Sequence, residues 1–155
     1  MLRVNYDLLD WKPYESDAVL LAYYHEQLFT GIAFEHDAKG TLIGEVTFLE
    51  GQESGLKRLW SPSGVLLLER NMAFAGPHGS TRSWHDNGQL AEEGLTEFAF
   101  YIWLNRWDEG GELTEEYKID EKQLGIVKRI WEGNLGQILR GRERAAKQSD
   151  DKSVG

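Results

Sequence analysis

Gly55-Leu56-Lys57-Arg58-Leu59-Trp60-Ser61-Pro62-Ser63-Gly64-Val65-Leu66-Leu67-Leu68-Glu69 is followed, 24 residues on, by Gly79-Ser80-Thr81-Arg82-Ser83-Trp84-His85-Asp86-Asn87-Gly88-Gln89-Leu90-Ala91-Glu92-Glu93. The two stretches carry Gly, Arg, Trp, Gly, Leu and Glu at the same offsets. A fixed period of this size is the mark of a repeat architecture. The columns extend outward in phase. Gly31 joins Gly55 and Gly79, and Gly40 joins Gly64, Gly88 and Gly111. Trp107 joins Trp60 and Trp84. Leu42, Leu66, Leu90 and Leu113 form another column, and Glu45, Glu69, Glu93 and Glu116 another, both stepping 24, 24, 23.

Each unit reads as a β-hairpin. Ser61-Pro62-Ser63-Gly64 is a turn, with Pro presetting φ and Gly supplying a positive one. Asp86-Asn87-Gly88 is a stronger hairpin signal. Asp37-Ala38-Lys39-Gly40 and Asp108-Glu109-Gly110-Gly111 are the outer equivalents. A half unit, Val19 to Tyr24 with its turn at His25-Glu26-Gln27, comes first. The expected fold is therefore mainly β: a single elongated antiparallel β-meander of roughly nine strands, built from 24-residue hairpins with capping segments at both ends. Tyr6 to Trp11 begins the sheet or covers its first edge. In the C-terminal cap, Leu124, Val127 and Trp131 have helical spacing, weakened by Gly125, Gly133 and Gly136. This predicts one repeat domain over residues 1–140, with its core at 17–120 and its cap at 121–140, and a flexible basic and polar tail at 141–155.

The chain has 155 residues, 26 Asp+Glu against 17 Lys+Arg, a net charge of −9 and no cysteine. That size fits one domain. Disulfides, thiolate metal sites and a cysteine nucleophile are excluded. No apolar run approaches the ~18 residues of a membrane span. The start turns acidic too early for a secretory signal, so a cytoplasmic location is the expectation. Residues 1–120 carry 9 Lys+Arg and 21 Asp+Glu, net −12, whereas 121–155 carry 8 and 5, net +3. So acidic a body disfavours direct nucleic-acid binding and anionic membranes, and favours a basic partner.

The pattern Gly-x4-Trp-x3-Gly-x-Leu-x2-Glu resembles the MORN repeat, most nearly the variant form of bacterial antitoxins and immunity proteins. The resemblance rests on Leu28 to Ala33, Gly55 to Trp60, Gly79 to Leu90 and Trp107 to Leu113. It departs at His36, which replaces the Trp of the first unit, at Thr96, which replaces an apolar residue, and at the missing Gly near Phe98. The resemblance implies a repeat scaffold that binds a protein toxin. MORN scaffolds that dimerise or attach to membranes are the alternative it leaves open.

No zinc-ligand spacing, phosphate loop or catalytic triad is present, so the expectation is a non-enzymatic protein with no cofactor and no metal site. The Glu column reads as a repeated structural feature, with Arg58 and Arg82 as cross-strand partners. The Trp column reads as core on the covered face, with a stacking platform as the alternative. The Leu column reads as core. Acidic and aromatic residues outside the repeat are the candidates for partner binding: Asp10, Trp11, Tyr14, Glu15 and Asp17 before the first strand, Glu35, Asp37, Glu50 and Glu53 in the first unit, and Asp108, Glu109, Glu112 and Glu115 in the last. The expected partner is a basic toxin, with a nuclease suggested by charge, since its substrate groove must be positive.

Overall fold

The computed structural model describes residues 1–14, 19–73, 76–97, 99–134 and 136. Glu15, Asp17 and the tail at 141–155 lie outside them. The chain divides into Met1–Ile119 and Asp120–Gly155. The first unit is mainly β. Its strands are β1 (Arg3–Asn5), β2 (Asp10–Pro13), β3 (Leu20–Tyr24), β4 (Gln27–Leu28), β5 (Gly31–His36), β6 (Leu42–Leu49), β7 (Gln52–Trp60), β8 (Leu66–Ala73), β9 (Gly76–Trp84), β10 (Leu90–Glu97), β11 (Phe100–Trp107) and β12 (Leu113–Lys118). In the second unit, 121–134 is helical. Asp120 starts this helix by accepting the Gln123 N–H at 2.7 Å, an N-cap bond. The helix runs through Gly125 and Gly133 despite their cost of about 1 kcal/mol each.

Strands β5 to β12 form an antiparallel meander in which each pairs with the next, and β1 joins β5 to give nine strands. The four hairpin turns are built alike. In the second, Gly64 N–H donates to the Ser61 carbonyl at 2.9 Å and Ser61 N–H to the Val65 carbonyl at 2.8 Å. Gly40, Gly64, Gly88 and Gly111 have φ between 83° and 87°. A Cβ is strained in that left-handed conformation, which is why glycine recurs there. Asp37 and Asp108 fasten their own turns, each carboxylate accepting two N–H groups at 2.9 Å.

Two features differ from a single antiparallel meander. β1 pairs parallel to β5, with Val4 opposite Ala33. The half unit does not enter the large sheet; β3 lies between β2 and β4 in a separate three-stranded sheet. The cause is burial. One face of β5 and β6 presents Ala33, Val46 and Phe48, and an apolar sheet face needs a second layer. Ala22, Phe29 and Leu9 supply it, with Tyr6 and Tyr24 at the margin. Phe29 and Phe48 lie 5.5 Å apart between ring centres and are almost fully buried. Large side chains buried in this way contribute roughly 1.5–3 kcal/mol each.

The core therefore sits at the N-terminal end of the sheet, not along the repeat columns. Trp60, Trp84 and Trp107 are half-buried, and Leu113 is 52% exposed. The Trp and Leu columns instead face each other within hairpins, as Trp60 to Leu66, Trp84 to Leu90 and Trp107 to Leu113. They lie beyond the reach of the small sheet. From β7 onward most side chains on both faces are only half-buried.

Candidate interaction surface

Register carries the Glu column straight across the sheet. On one face the row reads Phe34, Glu45, Arg58, Glu69, Arg82, Glu93, Asn105 and Glu116. Alternating charges on neighbouring strands attract. Arg58 Nε donates to Glu69 at 2.8 Å, and Arg82 donates from Nε and Nη2 to Glu93 at 2.9 and 2.8 Å. Glu45 receives Arg3 from β1. These pairs are substantially exposed, so each contributes about 1 kcal/mol or less. Their geometric effect is to hold the paired side chains of the row, Glu45, Arg58, Glu69, Arg82 and Glu93, in place.

The opposite face carries the row Val4, Ala33, Val46, Lys57, Arg70, Thr81, Gly94, Leu104 and Tyr117. It turns from apolar to cationic at β7, where the core ends. Lys57 pairs with Glu53 at 3.1 Å. Further along, Glu92 accepts from Arg106 Nε at 3.0 Å and from the Tyr101 hydroxyl, while Arg106 reaches Glu115 at 2.6 Å. Burial, then the hydrogen bond and charge of Glu92, raise the Tyr101 pKa above the ordinary tyrosine value, opposed by Arg70 and Arg106. The bonds to Glu92 and then to Glu115 hold the Arg106 proton more tightly.

Two of the three clusters of candidate partner-binding residues meet. Trp11 packs at a tilt against Tyr6 with ring centres 5.8 Å apart, and Glu53 and Glu35 add their charges to burial in raising the Tyr6 pKa. Beside Tyr6 is a notch of about 270 Å³ over Ala33, Gly44 and Val46, walled by Glu35, Lys57 and Leu59. Asp10 is exposed on β2, and Tyr14 follows it half-buried. Glu50 sits at the β6–β7 turn, its N–H held by the Thr30 hydroxyl at 2.9 Å. The third cluster is remote. Asp108, Glu109 and Glu112 surround the last turn, five or six strands away, or roughly 25 Å at about 4.8 Å per strand. Glu115 faces the opposite side with Arg106. Asp37 and Asp108 act as turn fasteners.

A second hollow, a shallow basin of about 440 Å³, lies at the end of the acidic row between Trp103, Asn105, Glu116, Tyr117 and Lys118. Of these, Glu116 alone stands out in the sequence, as a member of the Glu column. Asn105 breaks the Arg column, and that break was the available signal. The Glu92, Tyr101 and Arg106 network carried no signal, because only strand register brings it together.

Among the described residues no three His, Asp or Glu side chains gather as metal ligands, and no helix is long and apolar enough to cross a membrane. His85 Nε2 lies 2.8 Å from the Trp107 carbonyl and ties neighbouring hairpin turns together.

No protein-family profile matches this chain, and no curated protein matches it. Among solved structures it is similar to one described as accessory secretory protein 1, 2 and 3 in Streptococcus pneumoniae, at 17% identity and a TM-score of 0.29. That similarity spans 69% of this chain and 18% of the other.

Proposed function

We propose that this chain is a non-enzymatic protein-binding module of the antitoxin or immunity type, which neutralises a basic toxin by covering its active site with the face of its sheet. The observation that carries this reading is a largely accessible sheet surface. Strands β7 to β12 are mostly half-buried or exposed on both faces, with Gln52, Thr81, Gly94, Thr96 and Leu104 as the buried exceptions, on a body whose first 120 residues have a net charge of −12. A preformed surface of one sign steers an oppositely charged partner and blocks a substrate groove at little ordering cost. The MORN resemblance of the repeat supports the same reading, as does the fixed spacing of carboxylates along the row.

The test is recovery of the tagged chain from a host that expresses its genomic neighbourhood, followed by calorimetric titration with the recovered partner. The expected partner is basic, loses its toxic activity when bound, and binds at least tenfold more weakly between about 50 and 500 mM salt. A partner that binds equally at both salt concentrations, or that keeps its activity when bound, would refute the mechanism.

A further inference from the structure

We infer that the Asn105–Glu116 rung is an arginine-receiving site, completed by a guanidinium of the protein partner. This deepens the binding reading above and rests on it. The repeat itself defines what the rung lacks. In the second and third hairpins, the residue opposite the column Glu is an arginine that donates to it, Arg58 to Glu69 and Arg82 to Glu93. In the first hairpin Phe34 stands opposite Glu45, and Arg3 arrives from β1 instead. In the fourth, Asn105 stands opposite Glu116, and no Lys or Arg among the described residues comes within ion-pair distance of Glu116. Three rungs hold a guanidinium, and the fourth has the same carboxylate on the same face without one.

The space beside this carboxylate is open. The Asn105–Glu116 basin holds about 440 Å³, ample for one arginine side chain. Trp103 shares the face with Asn105, two residues along β11, and can take the flat side of a guanidinium. Glu116 offers two acceptor oxygens, and the Asn105 amide oxygen offers a third. Arginine suits this set better than lysine, because its planar fork engages carboxylate and indole together. Lys118, opposite Trp103, is the one cationic side chain among the described residues lining the basin. It bounds the basin and sets a cost for any entering cation. β12 is exposed along its whole length, so the basin is reached from the sheet edge.

The test is a two-dimensional NMR titration of the full chain with Nα-acetyl-arginine amide, using the citrulline amide as uncharged control. The expected result is saturable shifts at the Asn105 and Glu116 amides and the Trp103 indole N–H with the arginine probe only. These shifts shrink at least fivefold in Glu116→Gln and in Asn105→Arg, which fills the rung from within, and grow in Lys118→Gln. Equal shifts with citrulline, or shifts that survive Asn105→Arg, overturn the proposal. A response that appears only after Arg140, Arg142 and Arg144 are all changed to Gln would assign the rung to the chain's own arginines and overturn it too. The two readings separate on the recovered partner. If that partner binds Asn105→Arg as tightly as wild type, the rung proposal fails and the binding function survives. If no partner is recovered at all, the functional reading fails, while the arginine titration still decides the rung's chemistry.

Discussion

Gly31→Ala should unseat the first strand of the sheet, while Gly44→Ala, on the neighbouring strand, should not. A Cβ on Gly31 would lie 2.4 Å from the Leu2 carbonyl oxygen and 2.9 Å from Phe29 Cζ. Neither neighbour can give way cheaply. Leu2 O accepts the Ile32 N–H at 2.8 Å, and Phe29 is 2% exposed in the core. The least costly relief is for β1 to leave β5. That uncovers Val4, worth about 2 kcal/mol, and breaks at least one backbone hydrogen bond, worth about 1 kcal/mol, so the loss is about 3 kcal/mol. On Gly44 a Cβ would meet Leu59 Cδ2 at 3.5 Å and Glu35 Cβ at 3.8 Å, which is ordinary contact. Its backbone is not in the left-handed region. There the change should be within about 0.5 kcal/mol, or stabilising through the unfolded chain. Urea unfolding followed by tryptophan fluorescence reads both variants. At a slope of about 1.5 kcal/mol per molar, Gly31→Ala lowers the midpoint by about 2 M and Gly44→Ala leaves it in place. Equal midpoints would refute the claim that close approach of β1 explains the glycine at position 31.

Ala99, with φ 65° at the β10–β11 turn, stands where the repeat places Gly51, with φ 80° at the β6–β7 turn; Ala99→Gly should therefore raise stability by about 0.5–1 kcal/mol, and a lower melting temperature would contradict this. Tyr101 and Tyr6 hold their protons more tightly when folded, so their contribution is complete below about pH 10 and is lost as pH rises through the folded values. Tyr101→Phe should flatten the alkaline decline in a pH series of unfolding midpoints, and an unchanged slope would remove that role. Amide exchange should be slowest in β5 and β6, over the core, and fastest in β12; uniform protection along the sheet would show that stability does not follow the core.

The hairpins were legible because turn chemistry is local. Pro62 and Gly64, or Asn87 and Gly88, specify their turns within four residues. Strand pairing then follows from short connections, and the large sheet obeys it from β5 to β12. The core was not legible, for a physical reason. Repetition draws attention to Trp60, Trp84 and Leu66, yet the main hydrophobic cluster forms where the small sheet covers one end of the large one. The core comprises Val4, Leu9, Ala22, Phe29, Ala33, Val46 and Phe48, and of these Phe48 does belong to a column, the apolar one that Thr96 interrupts. The parallel strand β1 is three residues long, too short for any periodicity to register.

The acidic row shows how a repeat can point to a site by failing to repeat. A column of identical residues argues for structure, since the same contact is made in each unit, and Arg58 with Glu69 or Arg82 with Glu93 is such a contact. The informative position is the one where the scaffold keeps its acceptor but drops its donor. Replacing arginine by asparagine at position 105 does little harm to the sheet, because an exposed pair contributes about 1 kcal/mol at most. It leaves a carboxylate already aligned by its strand and beside an indole, at an uncovered edge. The energy forgone in folding is thereby left for binding, and a partner's arginine would find the geometry that two neighbouring rungs already use.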